Sequence, residues 1–218
     1  MRLDIYSDTV CPWCFVGKRR LERALAMRSP EALTIQWRAF QLNPGMPPEG
    51  MTRREYLEVK FGGPERASRI YDAVRVAGEG EGIAFAFERI DRTPNTFDSH
   101  RLLRLGLAHG RQAEVLEELF QAYFLRGADI GSRRVLVDCA ERAGIDPAET
   151  EGFLASGAEA EATLAEDRLA RRQGINGVPC FIFNGRFALS GAQPPEALAQ
   201  LLDLADVDDA MQAGAAAQ

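Results

Sequence analysis

Two short β-containing segments stand far apart in this chain, and neither can close a core alone. RLDIY (residues 2–6) alternates as a strand, FVGKRRLERALAMR (15–28) follows as a helix ending before Ser29 and Pro30, and LTIQWRAFQL (33–42) reads as a second strand. That strand–helix–strand order is the βαβ unit of a parallel sheet, normally joined by a right-handed crossover. The next strand signal comes only at CFIF (180–183). It runs through Asn184-Gly185 into RFALSG, and Asn-Gly accepts the positive φ values of a tight hairpin turn. PPEALAQLLDLA then supplies a closing helix. A two-stranded unit cannot bury both faces, so the two pieces are expected to combine into one α/β sandwich with a mixed sheet.

Between them the pattern is helical. Thr52 and Glu55 form a T-x-x-E capping box ahead of YLEVKF. Helices are expected over 64–77, stopped by GEGEG, over 97–109 and over 114–126. In the last of these Val115, Leu116, Leu119, Phe120, Tyr123 and Phe124 make a broad apolar stripe. Asp146, Pro147 and Glu149 read as N-cap, first helical residue and acidic first turn, and Gly174 as a helix stop. The expected divisions are 1–42 and 175–206 as two halves of one domain, 43–174 as a helical insertion, and 207–218 as a flexible tail.

The motif that carries chemistry is CPWC, residues 11–14, at the carboxyl end of the first strand, where open α/β sheets place their ligands. Such a pair can bind metal, staple a turn or exchange disulfides. Structural zinc needs four ligands, and Cys139, Cys180, His100 and His109 are not spaced to complete a set. A CxxC beside a βαβ pattern is a redox signature. With Cys11 at the N-cap and Pro12 at the first helical position, the unpaired N–H groups and the positive end of the helix dipole would stabilise a thiolate. Cys14, three residues on, lies on the same face one turn deeper. Cys11 is therefore expected to be the exposed attacking thiolate and Cys14 the buried resolving thiol. Trp13 either packs or offers apolar surface to an incoming polypeptide. Asp8 would oppose the thiolate if it faced it. Asn95 and His100 read as cap and packing residues, with a place facing the site as the alternative.

The net charge of −6 argues against a nucleic-acid partner. No apolar run approaches the roughly 18 residues a membrane span needs, and MRLDIYSDTV lacks the pattern of a secretory signal. A cytoplasmic address is expected. There most thiols stay reduced, so the four cysteines do not read as a disulfide scaffold.

Together, SDTVCPWCFVGKRRLE, NTFDSHRLL and GVPCFIFNGRFALSGAQ resemble the DsbA-type branch of thioredoxin-fold oxidoreductases, most closely its FrnE-like subgroup. The resemblance implies an α/β thioredoxin fold with a large all-helical insertion between the second and third strands. It implies a protein disulfide oxidoreductase with Cys11 and Cys14 as catalytic residues and Pro12, Trp13, Val178 and Pro179 at the substrate. Base rates alone make Val178-Pro179 trans; the resemblance makes it cis, packed against the cysteine pair, with the Val178 backbone pairing with the substrate strand. Expected partners are polypeptide or small-molecule disulfides and a cellular thiol reductant or oxidant, with no cofactor beyond glutathione as a candidate co-substrate. Two other readings stay open. One is a glutathione-dependent isomerase or transferase similar to 2-hydroxychromene-2-carboxylate isomerase and kappa-class glutathione transferases, which usually carry serine in place of Cys11. The other is a non-catalytic binding or holdase protein. Cys180 is expected to be a small buried hydrophobe, or else a third thiol near Cys11.

Overall fold

The computed structural model describes residues 1–28 and 32–216. Four strands, β1 (Arg2–Ser7), β2 (Thr34–Ala39), β5 (Cys180–Phe183) and β6 (Phe187–Ser190), form one sheet in the order β2-β1-β5-β6. β1 runs parallel to β2, with Leu3 opposite Ile35, and antiparallel to β5, with Leu3 opposite Phe183 and Tyr6 opposite Cys180. The two distant pieces therefore meet in the middle of the sheet. Asn184 and Gly185 both take positive φ, 50° and 67°, and close the β5–β6 hairpin as the sequence predicts.

Period-two alternation decides what each face meets. Leu3, Ile5, Phe181 and Phe183 are fully buried in one apolar cluster with α1 (Pro12–Arg28) and α9 (Pro195–Ala216). Tyr6 and Cys180 point the other way and pack with Phe40, Ile175 and Ala170 of α8 (Ala160–Arg172). α9 extends through most of the segment expected to be a flexible tail. DDAMQAGAA contains no proline and is rich in alanine, the best helix former, and the Arg186 guanidinium holds Asp208 at 2.7 Å.

The insertion contains α2 (Arg53–Phe61), α3 (Pro64–Glu79), α4 (Phe97–Ala108), α5 (Gln112–Phe124), α6 (Arg133–Arg142), α7 (Pro147–Ala155) and α8. Two of the expected caps form: Thr52 and Glu55 make the reciprocal capping box of α2, and the Asp146 side chain accepts from Glu149 N–H on α7. The insertion is not wholly helical, because β3 (Met51–Thr52) and β4 (Arg92–Thr93) pair antiparallel and tie the two ends of the α2–α3 segment together.

What fixes the insertion to the sheet domain is aromatic packing and edge capping. Phe15 of α1 stacks on Phe120 with centroids 5.0 Å apart and meets Phe85 edge-on at 6.0 Å. The outer edge of β2, an open row of backbone groups that would otherwise invite pairing, is taken up by side chains of the insertion. Gln112 accepts from Trp37 N–H and donates to its carbonyl, and Glu166 and Asp167 accept from Ala39 and Gln41 N–H.

Glu117 of α5 adds an ionic clamp, bonded to Lys18 and Arg19 of α1 and to Gln121. Burial works against its charge, yet those hydrogen bonds outweigh it and hold its carboxyl down to about 2, against 4.5 unperturbed. A depressed folded-state pKa contributes stability that is complete above the unfolded value and disappears as pH falls through the folded one. Glu117→Gln is accordingly expected to lose ~2 kcal/mol at pH 7, with the gap to the unsubstituted protein narrowing between pH 4.5 and 2. Urea titrations across that range would show it, and a constant gap would exclude the clamp as its cause.

Candidate active site

The chain leaves β1 at Ser7, turns through Asp8–Val10 and enters α1 at Pro12, so Cys11 immediately precedes the first helical residue. Cys11 N–H donates to the Asp8 carbonyl and Cys14 N–H to the Cys11 carbonyl, each at 3.0 Å, which winds both thiols onto the first turn. All four cysteines are free, and the CPWC pair stands as a dithiol.

Both thiols of the pair are covered. Cys14 is completely buried, as the sequence predicts, but Cys11 is not the exposed group expected of it and shows only 4% of its surface. Part of its surroundings comes from a segment distant in sequence: Cys11 Sγ donates to the Val178 carbonyl at 3.6 Å. Burial pushes the Cys14 thiol well up. The neighbouring Cys11 raises it further, while Ser7 and the Asp8 backbone oppose the rise.

Val178-Pro179 is cis. Pro179 is buried, Val178 and Trp13 are half-buried against the main apolar cluster, and Pro12 at the head of α1 is half-buried. Sequence reading passed over the residue that brings Pro179 so close to α1, which is Gly17. A Cβ built there would stand 2.9 Å from the Pro179 ring. Gly17→Ala combines overpacking of ~1–3 kcal/mol with a helix-propensity gain of at most ~1 kcal/mol. A net loss near ~1 kcal/mol is expected, read as a lowered urea midpoint at unchanged slope.

Cys180 does not join the pair. Register puts it on the opposite sheet face, 3% exposed, with its thiol 4.0 Å from the Ser190 hydroxyl and pushed up by burial. Cys139 is likewise core, its thiol raised by burial to about 12. Thr96, not Asn95, holds the N-cap position of α4; the Asn95 side chain, one residue earlier, accepts from Phe97 N–H and donates to the Met46 carbonyl. His100 is buried, and its Nε2 lies 3.3 Å from a carboxylate oxygen of Asp8. That carboxylate accepts from Leu42 N–H at 2.7 Å through its other oxygen.

A dithiol at the mouth of a helix, facing a cis-proline loop in a four-stranded mixed sheet, defines a thioredoxin-fold thiol protein. The chain belongs to the DSBA-like thioredoxin domain family, whose sequence profile matches residues 2–203. It is similar to a probable DsbA oxidoreductase from Streptomyces coelicolor, 34% identical, with a TM-score of 0.86 over 94% of this chain and 89% of the other. At lower identity the fold alone is shared. A 2-hydroxychromene-2-carboxylate isomerase is 19% identical with a TM-score of 0.70 over 98% of both chains. The cytosolic disulfide reductase DsbM of Pseudomonas aeruginosa, solved with glutathione, is 20% identical with a TM-score of 0.66 over 94% of this chain and 98% of that one. Among the described residues no helix is long and apolar enough to cross a membrane.

Proposed function

We propose that this chain catalyses thiol–disulfide exchange on polypeptide or small-molecule disulfides through a mixed disulfide at Cys11 that Cys14 resolves. The observation that carries this reading is the asymmetry of the pair. Burial holds Cys14 protonated, which leaves Cys11, at the helix mouth and against the Val178–Pro179 loop, as the sulfur that attacks first. Cys11 thiolate attacks a substrate disulfide, forming one S–S bond and expelling one substrate sulfur as thiolate. Cys14 then attacks Cys11, the mixed disulfide breaks, and the second substrate sulfur leaves with its electron pair. The substrate gains two electrons and the dithiol becomes a disulfide. Tethering makes the second attack effectively intramolecular. The Val178 backbone and the surface of Trp13 would align the substrate chain.

A cellular thiol completes the cycle. A cytoplasmic setting, with glutathione in that role, is suggested by the likeness to DsbM, itself a cytosolic disulfide reductase solved with glutathione. The isomerase reading shares the fold but gives Cys14 no task. The experiment is a trap. Cys14→Ser incubated with a cystine-bridged peptide should retain a peptide adduct on Cys11, seen by mass spectrometry and released by dithiothreitol, while Cys11→Ser should retain none. An unmodified Cys14→Ser protein would reject the exchange mechanism and leave the binding-protein reading.

A further inference from the structure

Beyond the carboxyl end of β2 lies a cavity of about 330 Å³ that the exchange mechanism leaves without a task. Its size falls at the lower end of the roughly 300–1,000 Å³ typical of ligand sites. Three segments wall it: Pro44 and Pro48 from the loop after β2, Phe97 from the first turn of α4, and Leu164 from α8, which stays 36% exposed. Gln41 supplies polar lining. This residue is only 5% exposed and its backbone is committed, the N–H to Asp167 at 2.8 Å and the carbonyl to Arg171 at 2.6 Å. Its side-chain amide makes no hydrogen bond among the described residues, and neither amide atom is sealed from solvent. Buried polar groups are nearly always paired. A free donor and acceptor opening into a cavity mark a place where a ligand completes the set.

The sheet order puts this cavity beside the dithiol. β1 leads into CPWC at its carboxyl end; β5, with the Val178–Pro179 loop at its start, lies on one side of it, and β2 lies on the other. Ser7 pairs with Ala39, so the segments leading to Cys11 and to Gln41 leave the sheet as neighbours. Two contacts keep them so. Asp8 accepts from Leu42 N–H at 2.7 Å, and Thr9 shares a 2.7 Å hydroxyl–hydroxyl bond with Ser99, two residues beyond Phe97. Asn95 braces the wall itself, donating to the Met46 carbonyl at 2.7 Å and accepting from Phe97 N–H at 2.9 Å.

We infer that this cavity is a second substrate subsite, specific for an apolar side chain of a polypeptide disulfide. The inference rests on the exchange mechanism proposed above and chooses between its two substrate classes. A glutamine amide offers N–H donors and a C=O acceptor in one plane, the complement of a single peptide group. Gln41 bonds the substrate backbone, and the Pro44, Pro48, Phe97 and Leu164 surfaces take an aliphatic or aromatic side chain beside it. A chain captured at Cys11 is thus held by the Val178 loop on one side and by Gln41 on the other. Among the described residues the lining contains no lysine, arginine or histidine, and its one charged group is the Asp98 carboxylate, paired with Arg101 at 2.8 Å. The carboxylates of glutathione disulfide find no cationic partner there, so the subsite favours a neutral stretch of polypeptide.

The experiment uses cystine-bridged peptides identical except for one leucine walked residue by residue away from the cysteine, with an all-glycine flank as reference. The unsubstituted protein should prefer one leucine position over the reference by about tenfold in kcat/KM, with the gain residing in KM. Gln41→Leu removes both polar atoms at similar volume, and Leu164→Glu places a charge at an exposed edge of the cavity. Each should reduce that preference to about twofold or less. A preference that no leucine position creates, or one that survives both substitutions, would overturn the inference. Should Gln41→Leu fail to fold, Leu164→Glu carries the comparison. A readout free of redox chemistry separates the subsite from the exchange mechanism: on titration with the leucine peptides carrying serine in place of cysteine, the Gln41 side-chain amide resonances should shift. If no disulfide turns over at all, the exchange mechanism falls and this titration decides alone, unshifted resonances excluding the subsite.

Discussion

Replacing Cys11 by serine is expected to lower disulfide turnover by at least about a thousandfold, since the hydroxyl left behind is not ionised near neutrality and the nucleophile of a covalent mechanism is lost outright. The fold should tolerate the change. The Cys11 sulfur donates to the Val178 carbonyl at 3.6 Å, and a serine hydroxyl can offer the same donor. Melting temperature should therefore move by no more than a few degrees. Cys14→Ser should also lose turnover, yet for a different reason. It captures substrate at nearly the normal rate and stalls as the adduct, so a burst of one thiol per protein precedes the arrest. Burst without turnover in one variant and neither in the other is a pattern that neither a binding protein nor an isomerase using Cys11 alone would give. The measurement is thiol release monitored by absorbance under excess disulfide. Equal steady-state rates in both variants and the parent would remove the dithiol from the mechanism.

Local pattern made the candidate site legible, and chain-distant contacts hid its surroundings. CPWC at the end of β1, the Asn184-Gly185 turn and the caps at Thr52 and Asp146 each depend on residues within a few positions, and each forms as read. The partner of Cys11 does not, because Val178 arrives from 167 positions away through the closing of the fold. The same holds for Asp8 and His100, and for Gln112 sealing the edge of β2. Cys180 is the instructive case. Its adjacency to Pro179 suggested a neighbour for Cys11, yet parity along CFIF already places it opposite Phe181 and Phe183, the residues an apolar core would claim. A stricter use of the two-residue period would have put it on the far face. Gly17 also left a trace, as a helix-disfavouring residue in the middle of a good helix, which close approach by another element explains.

The segment NTFDSHRLL gains its meaning from Arg101, and Arg101→Met should be the most damaging single change to stability. Its guanidinium is 4% exposed at the side chain and turned inward from α4. Nε donates to the Ala158 carbonyl at 2.9 Å, one terminal nitrogen to Phe153 and Ser156 carbonyls at 3.0 and 2.7 Å, and the other to Asp98 at 2.8 Å. One side chain thus ties the Phe153 carbonyl at the end of α7, which Ser156 also serves, to the Ser156 and Ala158 carbonyls of the turn into α8. Methionine fills much of the same volume and donates nothing, so the Ser156 and Ala158 carbonyls and the Asp98 carboxylate would lose this buried donor while Phe153 keeps only Ser156. Removing one member of a buried charged network costs about 3–5 kcal/mol, a large share of the roughly 5–15 kcal/mol by which a domain is stable. Lysine should recover little, because a point charge with rotating donors cannot span the spread of carbonyls that the planar fork meets at once. Urea unfolding followed by circular dichroism gives the comparison, and a loss below ~1 kcal/mol for Arg101→Met would show that α7 and α8 hold their places without this bolt. Because α8 also supplies Glu166 and Asp167 to the β2 edge, the damage should spread to the sheet, and amide exchange of Ala39 and Gln41 should accelerate along with that of α7.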